Sequence, residues 1–193
     1  MFMGNRKKEI FTIPNLLSLF RLVLIPVYVT IYLRAATPGE YILAGSILTL
    51  SCLTDVLDGM IARRFHMVSQ VGKVLDPVAD KATQFTLTLC LSVKHPELKP
   101  VLILLVLKES FQLIAMVVSF LHGKALPGAL IPGKVCTAVL FSSLIALVLF
   151  PNLSNRLVKI IALLDSILLL FSFVSYVLAY LGKQSKLRDL PTE

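Results

Sequence analysis

The stretch KPVLILLVLKESFQLIAMVVSFL, residues 99–121, is apolar over almost its whole length. A helix needs about 20 such residues to cross the hydrocarbon core of a bilayer, so the stretch is long enough to span it. Lys108 and Glu109 lie near its middle, where ionisable side chains are costly in lipid and by default functional. The stretch therefore predicts a membrane-spanning helix that contains a polar site.

Apolar runs of similar length lie on both sides of this stretch. Together they make six candidate spans, at 13–33, 41–64, 76–94, 99–121, 134–150 and 156–181. Backbone polar groups in lipid need internal partners, so each span is expected to be a helix. Pro77 is expected in the first turn of the third span, where a missing N–H group costs nothing. The predicted fold is an all-α integral membrane protein with six transmembrane helices. It forms one domain, residues 1–193, and begins with a short interfacial segment, residues 1–12.

Composition and charge agree with a lipid environment. The chain is 56% hydrophobic and 16% charged, whereas a soluble domain is about 45–50% apolar and about 25% charged. Its net charge is +8, but no basic stripe is interleaved with aromatic residues, so a nucleic-acid partner is not predicted. The basic residues lie beside the apolar spans, as expected next to anionic membrane lipids.

The distribution of basic residues between the loops predicts the orientation. If both termini are cytoplasmic, eleven of the 19 Lys and Arg residues lie on the inner side, five on the outer side and three within spans. An excess of basic residues marks the cytoplasmic side of a membrane protein. We therefore expect cytoplasmic termini and, for a bacterial protein, a location in the cell membrane.

Four acidic residues lie at the predicted cytoplasmic ends of the second and third spans. They are Asp55, Asp58, Asp76 and Asp80. The first two are three residues apart and the last two are four apart, so each pair shares one helical face. The short connection makes the two helices antiparallel neighbours, which brings the four carboxylates together.

Four like charges beside a bilayer would repel each other and need a positive partner. Lys81 and Arg63 can contribute, but divalent cations match a cluster of oxygen ligands better. Hard oxygen ligands suit Mg²⁺, Mn²⁺ or Ca²⁺ rather than zinc. The alternative is a solvated helix end with local ion pairs, which is less expected for four acids than for two. The pattern predicts a site for divalent cations.

Small residues lie among these acids. Gly59 and Ala62 share their helical face and leave room for a ligand beside the backbone, and Gly72 precedes the third span. Arg63 lies one turn beyond Gly59, and its planar fork can bind a phosphate with two hydrogen bonds. Helix packing alone would explain any one of the glycines. With the carboxylates, the set predicts a phosphate-bearing ligand held through metal ions.

Residues 55–80, DVLDGMIARRFHMVSQVGKVLDPVAD, match D-x2-D-G-x2-A-R-x8-G-x3-D-x3-D at every fixed position. This pattern resembles the signature of the CDP-alcohol phosphotransferase family. Residues 13–26, IPNLLSLFRLVLIP, and the GKVCTA stretch at 133–138 are similar to phosphatidylglycerophosphate synthases and eukaryotic-type cardiolipin synthases of that family. Two positions differ: Lys108 replaces an arginine usual in glycerophosphate synthases, and Cys136 replaces a residue that is often basic.

The resemblance implies an enzyme that transfers a phosphatidyl group from CDP-diacylglycerol to an alcohol, releases CMP and forms a homodimer. It implies two divalent ions, Mg²⁺ or Mn²⁺, held by the four aspartates, with Asp80 also the general base. Residues implied to bind or line the donor site are Asn15, Asp58, Gly59, Ala62, Arg63, Ser69 and Gly72. A phosphorylated acceptor would need cations, and the candidates are Lys134, Lys108, Arg21 and Lys81.

Other interpretations remain open for several of these residues. Lys134 at a span end could instead extend its ammonium to the membrane surface, and Lys108 could simply neutralise Glu109. Asp165 has no assigned role. Glycerol 3-phosphate is the preferred acceptor and phosphatidylglycerol the second, ahead of inositol phosphate or a small amino alcohol. Outside this class, a cation transporter would use the acids as an ion site but predicts internal repeats, which the sequence lacks. A purely structural membrane subunit would not need four acids at a membrane face.

Overall fold

The computed structural model of the chain describes residues 13–64, 72–121 and 131–188. These residues form six helices and one turn of 3-10 helix at Pro96–Leu98. The helices are α1 (Ile13–Arg34), α2 (Pro38–Arg64), α3 (Gly72–Lys94), α4 (Lys99–Leu121), α5 (Ile131–Leu149) and α6 (Asn155–Arg188). No strand occurs in the described ranges. The predicted all-α class is confirmed, and each predicted span coincides with one helix.

Four helices of the described chain are long and apolar enough to cross a membrane. These segments are Asn15–Arg34, Pro96–Ser119, Ile131–Leu149 and Asn155–Gly182. Large apolar side chains also cover outward-facing positions, as at Leu121 and Ile131, which are 75% and 77% exposed. Such surfaces are rare on soluble monomers and normal against lipid. The chain is therefore an integral membrane protein, and the crossings predicted for α2 and α3 stay predictions.

The turn between α1 and α2 is stabilised by a capping arrangement. The Glu40 carboxylate accepts hydrogen bonds from the backbone N–H groups of Ala36, at 2.7 Å, and Thr37, at 3.0 Å. A glutamate three residues after a threonine is the sequence signature of a helix start, because it satisfies N–H groups that have no helical partner. Pro38 is the first residue of α2, where its missing N–H costs nothing.

Helix α3 begins earlier than its sequence predicts. It starts at Gly72, so Pro77 is its sixth residue and lies beyond the first turn. The prediction that Pro77 lies in the first turn was wrong. Residues 72–75 contain no proline that would stop a helix, so the helix extends upstream through them and begins at Gly72. Pro77 removes one backbone hydrogen bond of α3, and its ring crowds the carbonyl four residues earlier.

The chain divides into two compact units. The first comprises Met1–Val93 and Leu144–Asn152. In it, α1 packs against α2, and the Tyr32 ring lies 5.5 Å from that of Tyr28 and 5.8 Å from that of Tyr41 between centroids. A Cβ atom at Gly45 would overlap the Leu149 side chain, so the absence of a side chain admits a close helix contact.

The second unit comprises Lys94–Ser143 and Leu153–Glu193. Here α4 packs against α6, with the Phe111 ring edge-on to those of Phe173 and Tyr180 at 5.4 and 6.0 Å. The backbone of Gly133 in α5 lies against the Tyr176 ring of α6. Small residues and aromatic contacts are what bind helices in lipid, where burial of apolar surface gives no net gain. The single-domain prediction for residues 1–193 stays a prediction.

Candidate functional site

Helix α3 carries two carboxylates of the predicted cluster near its start. Asp76 and Asp80 are one turn apart, and their side chains contact the same neighbouring helix, α1. The Asp80 side chain is 47% exposed. The two acids therefore share a face, as their spacing predicts, and Asp80 has an accessible surface for a ligand.

Helix α1 supplies one partner to each carboxylate. The Ser18 hydroxyl donates a hydrogen bond to Asp76 Oδ1, and a guanidinium nitrogen of Arg21 lies 2.5 Å from Asp80 Oδ1. Ser18 is fully buried and Arg21 is 2% exposed. A buried guanidinium requires an anionic partner, which Asp80 provides.

The sequence analysis predicts that Lys81 and Arg63 contribute positive charge near the acids and that Arg21 binds the acceptor. Ser18 is not among the predicted site residues. Ser18 and Arg21 are three residues apart, a spacing that places both on one helical face, as does the four-residue spacing of Asp76 and Asp80. This matched spacing is the feature of the sequence that indicates a contact between the two helix faces. The spacing alone does not predict the contact between α1 and α3, because the two pairs are far apart in the chain. Ser18 and Asp76 are separated by 58 positions, and Arg21 and Asp80 by 59.

The remaining motif residues are described only in part. Asp55, Asp58, Gly59, Ala62 and Arg63 lie in the last turns of α2, but their side chains are outside the described set. Ser69 lies outside the described residues, and Gly72 is the first residue of α3. Asn15 is buried at 4% exposure, one turn before Ser18 on α1. The convergence of all four carboxylates stays a prediction.

The chemistry of the described donors fits a divalent metal. Two carboxylates one turn apart offer hard oxygen ligands of the kind that Mg²⁺ and Mn²⁺ prefer. Over the described side chains, no group of three or more His, Cys, Asp or Glu residues lies together. A complete ligand set would thus need Asp55 and Asp58 as well.

The second unit contains a separate polar site around Lys108. The Lys108 ammonium lies 2.7 Å from Glu109 Oε1 and 5.9 Å from the centroid of the Tyr176 ring. Lys108 is 2% exposed, so an ion pair and an aromatic face surround a buried cation. The pair does neutralise itself, as the alternative interpretation allows, and an acceptor-binding role for Lys108 stays a prediction.

The other sequence-predicted residues lie at varied depths. Lys134 is exposed as the fourth residue of α5, and Lys81 is half-buried beside Asp80 on α3. Asp165, which has no role assigned from the sequence, is 2% exposed and lies 2.6 Å from the Ser143 hydroxyl through its Oδ2. This contact joins α5 to α6 inside the second unit.

Comparison with known proteins places residues 11–179 within one family model, described as CDP-alcohol phosphatidyltransferase. The chain is 33% identical over 172 residues to a CDP-diacylglycerol--glycerol-3-phosphate 3-phosphatidyltransferase of Aquifex aeolicus, across 86% of this chain and 94% of that protein. It is 33% identical over 133 residues to a cardiolipin synthase (CMP-forming) of Streptomyces coelicolor, across 67% of this chain and 61% of that protein.

A third relative is a fusion protein. The chain is 36% identical over 121 residues to a cardiolipin synthase (CMP-forming) / mitochondrial hydrolase fusion protein of Schizosaccharomyces pombe. The match covers 63% of this chain and 19% of the fusion protein. The chain thus corresponds to a small part of that relative.

Proposed function

Because the chain belongs to the CDP-alcohol phosphatidyltransferase family, we propose that it transfers the phosphatidyl group of CDP-diacylglycerol to glycerol 3-phosphate. The products are phosphatidylglycerophosphate and CMP. One observation supports this acceptor above others: the match to the Aquifex aeolicus protein, named for this reaction, extends over 94% of that protein's length. A cation transporter or structural subunit is not supported, because the family consists of transferases.

Enzymes of this family are in general dependent on divalent metal ions. We assign two ions, Mg²⁺ or Mn²⁺, to Asp55, Asp58, Asp76 and Asp80. When bound, the ions would neutralise the pyrophosphate of the donor and stabilise negative charge on the departing CMP. The Ser18 contact holds Asp76 in one orientation before any ion arrives, which supports its assignment as a ligand.

The donor's nucleotide and phosphates are assigned to residues around these acids. Arg63 would bind a phosphate with its planar fork, and Gly59, Ala62 and Gly72 would leave space for the nucleotide. Asn15 and Ser69 complete the proposed donor site. The burial of Asn15 on α1, one turn from Ser18, supports its place in this group.

The transfer step needs a base close to the acceptor hydroxyl. The hydroxyl oxygen forms a bond to the lipid-side phosphorus, the bond from that phosphorus to the CMP oxygen breaks, and CMP leaves with the electron pair. Asp80 accepts the hydroxyl proton. Its exposure of 47% supports this role, because a general base must reach the proton it removes.

The phosphate of glycerol 3-phosphate requires positive charge. We assign it to Lys134 and Lys108, with Lys81 as a further candidate. Lys134 is exposed, which allows a contact with a soluble acceptor. Arg21 is the least suited of the predicted acceptor residues, because Asp80 already engages its guanidinium.

The membrane arrangement follows from the same proposal. We propose that all six helices cross the bilayer, with both termini and the carboxylates on the cytoplasmic side of a bacterial cell membrane. The excess of basic residues in the inner loops supports this orientation. A homodimer is expected from the family resemblance.

Cardiolipin synthesis is the second candidate function. In it, the hydroxyl of phosphatidylglycerol would replace that of glycerol 3-phosphate as the attacking group. Two relatives named as cardiolipin synthases match this chain at 36% and 33% identity. Lys108 stands where glycerophosphate synthases usually have an arginine, and Cys136 stands where a basic residue is often found. Both differences support an acceptor other than glycerol 3-phosphate.

An acceptor panel tests the proposal. The protein would be purified in lipid nanodiscs and supplied with CDP-diacylglycerol, Mn²⁺ or Mg²⁺ and one acceptor at a time, with CMP and lipid products followed by mass spectrometry. Metal-dependent CMP release with glycerol 3-phosphate is expected. Release with phosphatidylglycerol alone would establish the second candidate, and no CMP release with any alcohol would refute both.

A further inference from the structure

Helix α1 contacts the acidic face of α3, which carries Asp76 and Asp80, through two different kinds of donor. Ser18 offers a neutral hydroxyl to Asp76, whereas Arg21 offers a full positive charge to Asp80. Both donors are buried, at 0% and 2% exposure. Burial of the two donors limits competition from water, while the Asp80 carboxylate itself stays 47% exposed. Each contact therefore affects what else its carboxylate can bind.

The Arg21 contact opposes cation binding. A guanidinium stays charged at all accessible pH values, and this one lies 2.5 Å from the oxygen of a proposed metal ligand. A divalent ion that binds Asp80 must overcome repulsion from Arg21 and weaken its ion pair. By linkage, the guanidinium and the ion each lower the affinity of Asp80 for the other.

The Ser18 contact assists cation binding. Its hydroxyl engages one oxygen of Asp76 and so restrains the rotation of the carboxylate about its last bond. Hydrogen bonds of this kind orient metal ligands, and their loss typically lowers metal affinity about 10- to 100-fold. The two α1 contacts therefore act on the same site in opposite directions.

We propose that Arg21 is a built-in counter-cation that competes with a divalent metal ion for Asp80, while Ser18 positions Asp76 to receive that ion. The inference rests on the metal-dependent transfer proposed above and adds a means of setting its metal affinity. Without metal, Arg21 compensates the charge of Asp80 and keeps the acidic face stable. With metal, the ion takes over that compensation at a reduced net affinity.

Binding of Mn²⁺ alone, without donor or acceptor, provides the test. The protein would be held in nanodiscs of zwitterionic lipid, and bound Mn²⁺ measured by electron paramagnetic resonance. Signal that persists in Asp76→Asn is subtracted as binding outside the site. Because no turnover is measured, the result is independent of whether glycerol 3-phosphate is the acceptor.

Two variants should change the Mn²⁺ dissociation constant in opposite directions. Arg21→Gln keeps an N–H donor beside Asp80 but removes the charge, so Mn²⁺ should bind at least about threefold more tightly, since a unit charge at contact distance has a large effect inside a protein. Ser18→Ala should bind Mn²⁺ about 10-fold more weakly. Arg21→Lys keeps the charge and should stay close to the unmodified protein.

Matched controls are available within the first unit. Arg34→Gln removes the same charge from the exposed far end of α1, and Ser46→Ala removes a hydroxyl that bonds only to its own helix, at the Ile42 carbonyl. Neither should change the dissociation constant. A damaged fold can weaken binding but has no means of tightening it, so the Arg21→Gln result is informative even if that variant is less stable.

Several results would overturn the inference. Unchanged or weaker Mn²⁺ binding in Arg21→Gln would do so, as would equal tightening in Arg21→Lys, or unmodified Mn²⁺ affinity in Ser18→Ala. Absence of Asp76-dependent Mn²⁺ binding would also count against it, because competition requires that the ion reach these carboxylates. If transfer fails in the acceptor panel but the opposite shifts occur, the counter-cation role stands without the proposed function.

Discussion

At the scale of single residues, Asp80 combines an accessible carboxylate with a buried cationic partner. Asp80→Asn keeps the size of the side chain but removes its ability to accept the acceptor's proton. We expect kcat to fall about 10²–10⁴-fold, the usual contribution of general base catalysis, with donor affinity little changed. Steady-state kinetics and donor binding by calorimetry would measure both.

Glu97→Gln is the matched control for this change. Glu97 lies in the 3-10 turn that follows α3 and has no proposed role, so its loss should leave kcat unchanged. If Asp80→Asn loses donor binding in proportion to kcat, Asp80 is chiefly a metal ligand and the assignment of the base is wrong.

Lys134 tests whether the acceptor carries a phosphate. Lys134→Ala should raise KM for glycerol 3-phosphate and spare donor affinity, because it removes one charge that an anionic acceptor needs. Lys134→Arg should recover part of the loss, since a planar fork and a compact ammonium differ in geometry. Lys159→Ala, which removes an exposed lysine from α6, is the control. An unchanged KM in Lys134→Ala would contradict the assignment.

At the scale of helices, the contact between α5 and α6 depends on a glycine. A Cβ atom at Gly133 would lie 2.6 Å from the Tyr176 hydroxyl oxygen and 2.8 Å from a ring carbon. Gly133→Ala must displace this ring, which also faces Lys108. We expect an overpacking cost of about 1–3 kcal/mol, seen as a lower midpoint of thermal unfolding in detergent.

Gly182→Ala separates this steric effect from helix propensity. Gly182 lies in α6 with no atom close to the position of a Cβ, so alanine there should be neutral or stabilising by up to about 1 kcal/mol. Equal thermal midpoints for the two variants would show that α5 and α6 do not meet at Gly133.

At the scale of the whole molecule, the proposed topology requires that α2 and α3 cross the membrane with the other helices. Six crossings place the segment between α2 and α3 on the cytoplasmic side, opposite the turns on either side of this helix pair. Single cysteines report the side by labelling with a membrane-impermeant maleimide. Ala36→Cys and Glu97→Cys should react in intact cells, and His66→Cys only after permeabilisation.

The unmodified protein is the control for this labelling, because it contains Cys52, Cys90 and Cys136. All three lie within helices. Reaction of His66→Cys in intact cells would show that α2 and α3 return without crossing, and that the chain has four crossings instead of six.

Much of the architecture could be predicted because it depends on local sequence. The apolar runs predicted the positions of the six helices in the described ranges. The capping arrangement of Thr37 and Glu40 also depends only on neighbouring residues, although it was not among the predictions. The predicted start of α3 was too late in the chain. The sequence around a proline inside a helix does not differ from that around a proline in the first turn, so Pro77 did not indicate where α3 begins. In the candidate site, the spacing of Asp76 and Asp80 predicted their shared face correctly.

The sequence by itself determined the helical class, the helix positions, the acidic motif and the family, since each depends on composition or on spacing within about 26 residues of chain. Only the tertiary structure decided which partners these residues have. Ser18 meets Asp76, Arg21 meets Asp80, and Ser143 meets Asp165. Such pairings depend on how one helix is rotated and shifted along another, and that register is set by side-chain packing between distant segments, which no local pattern encodes.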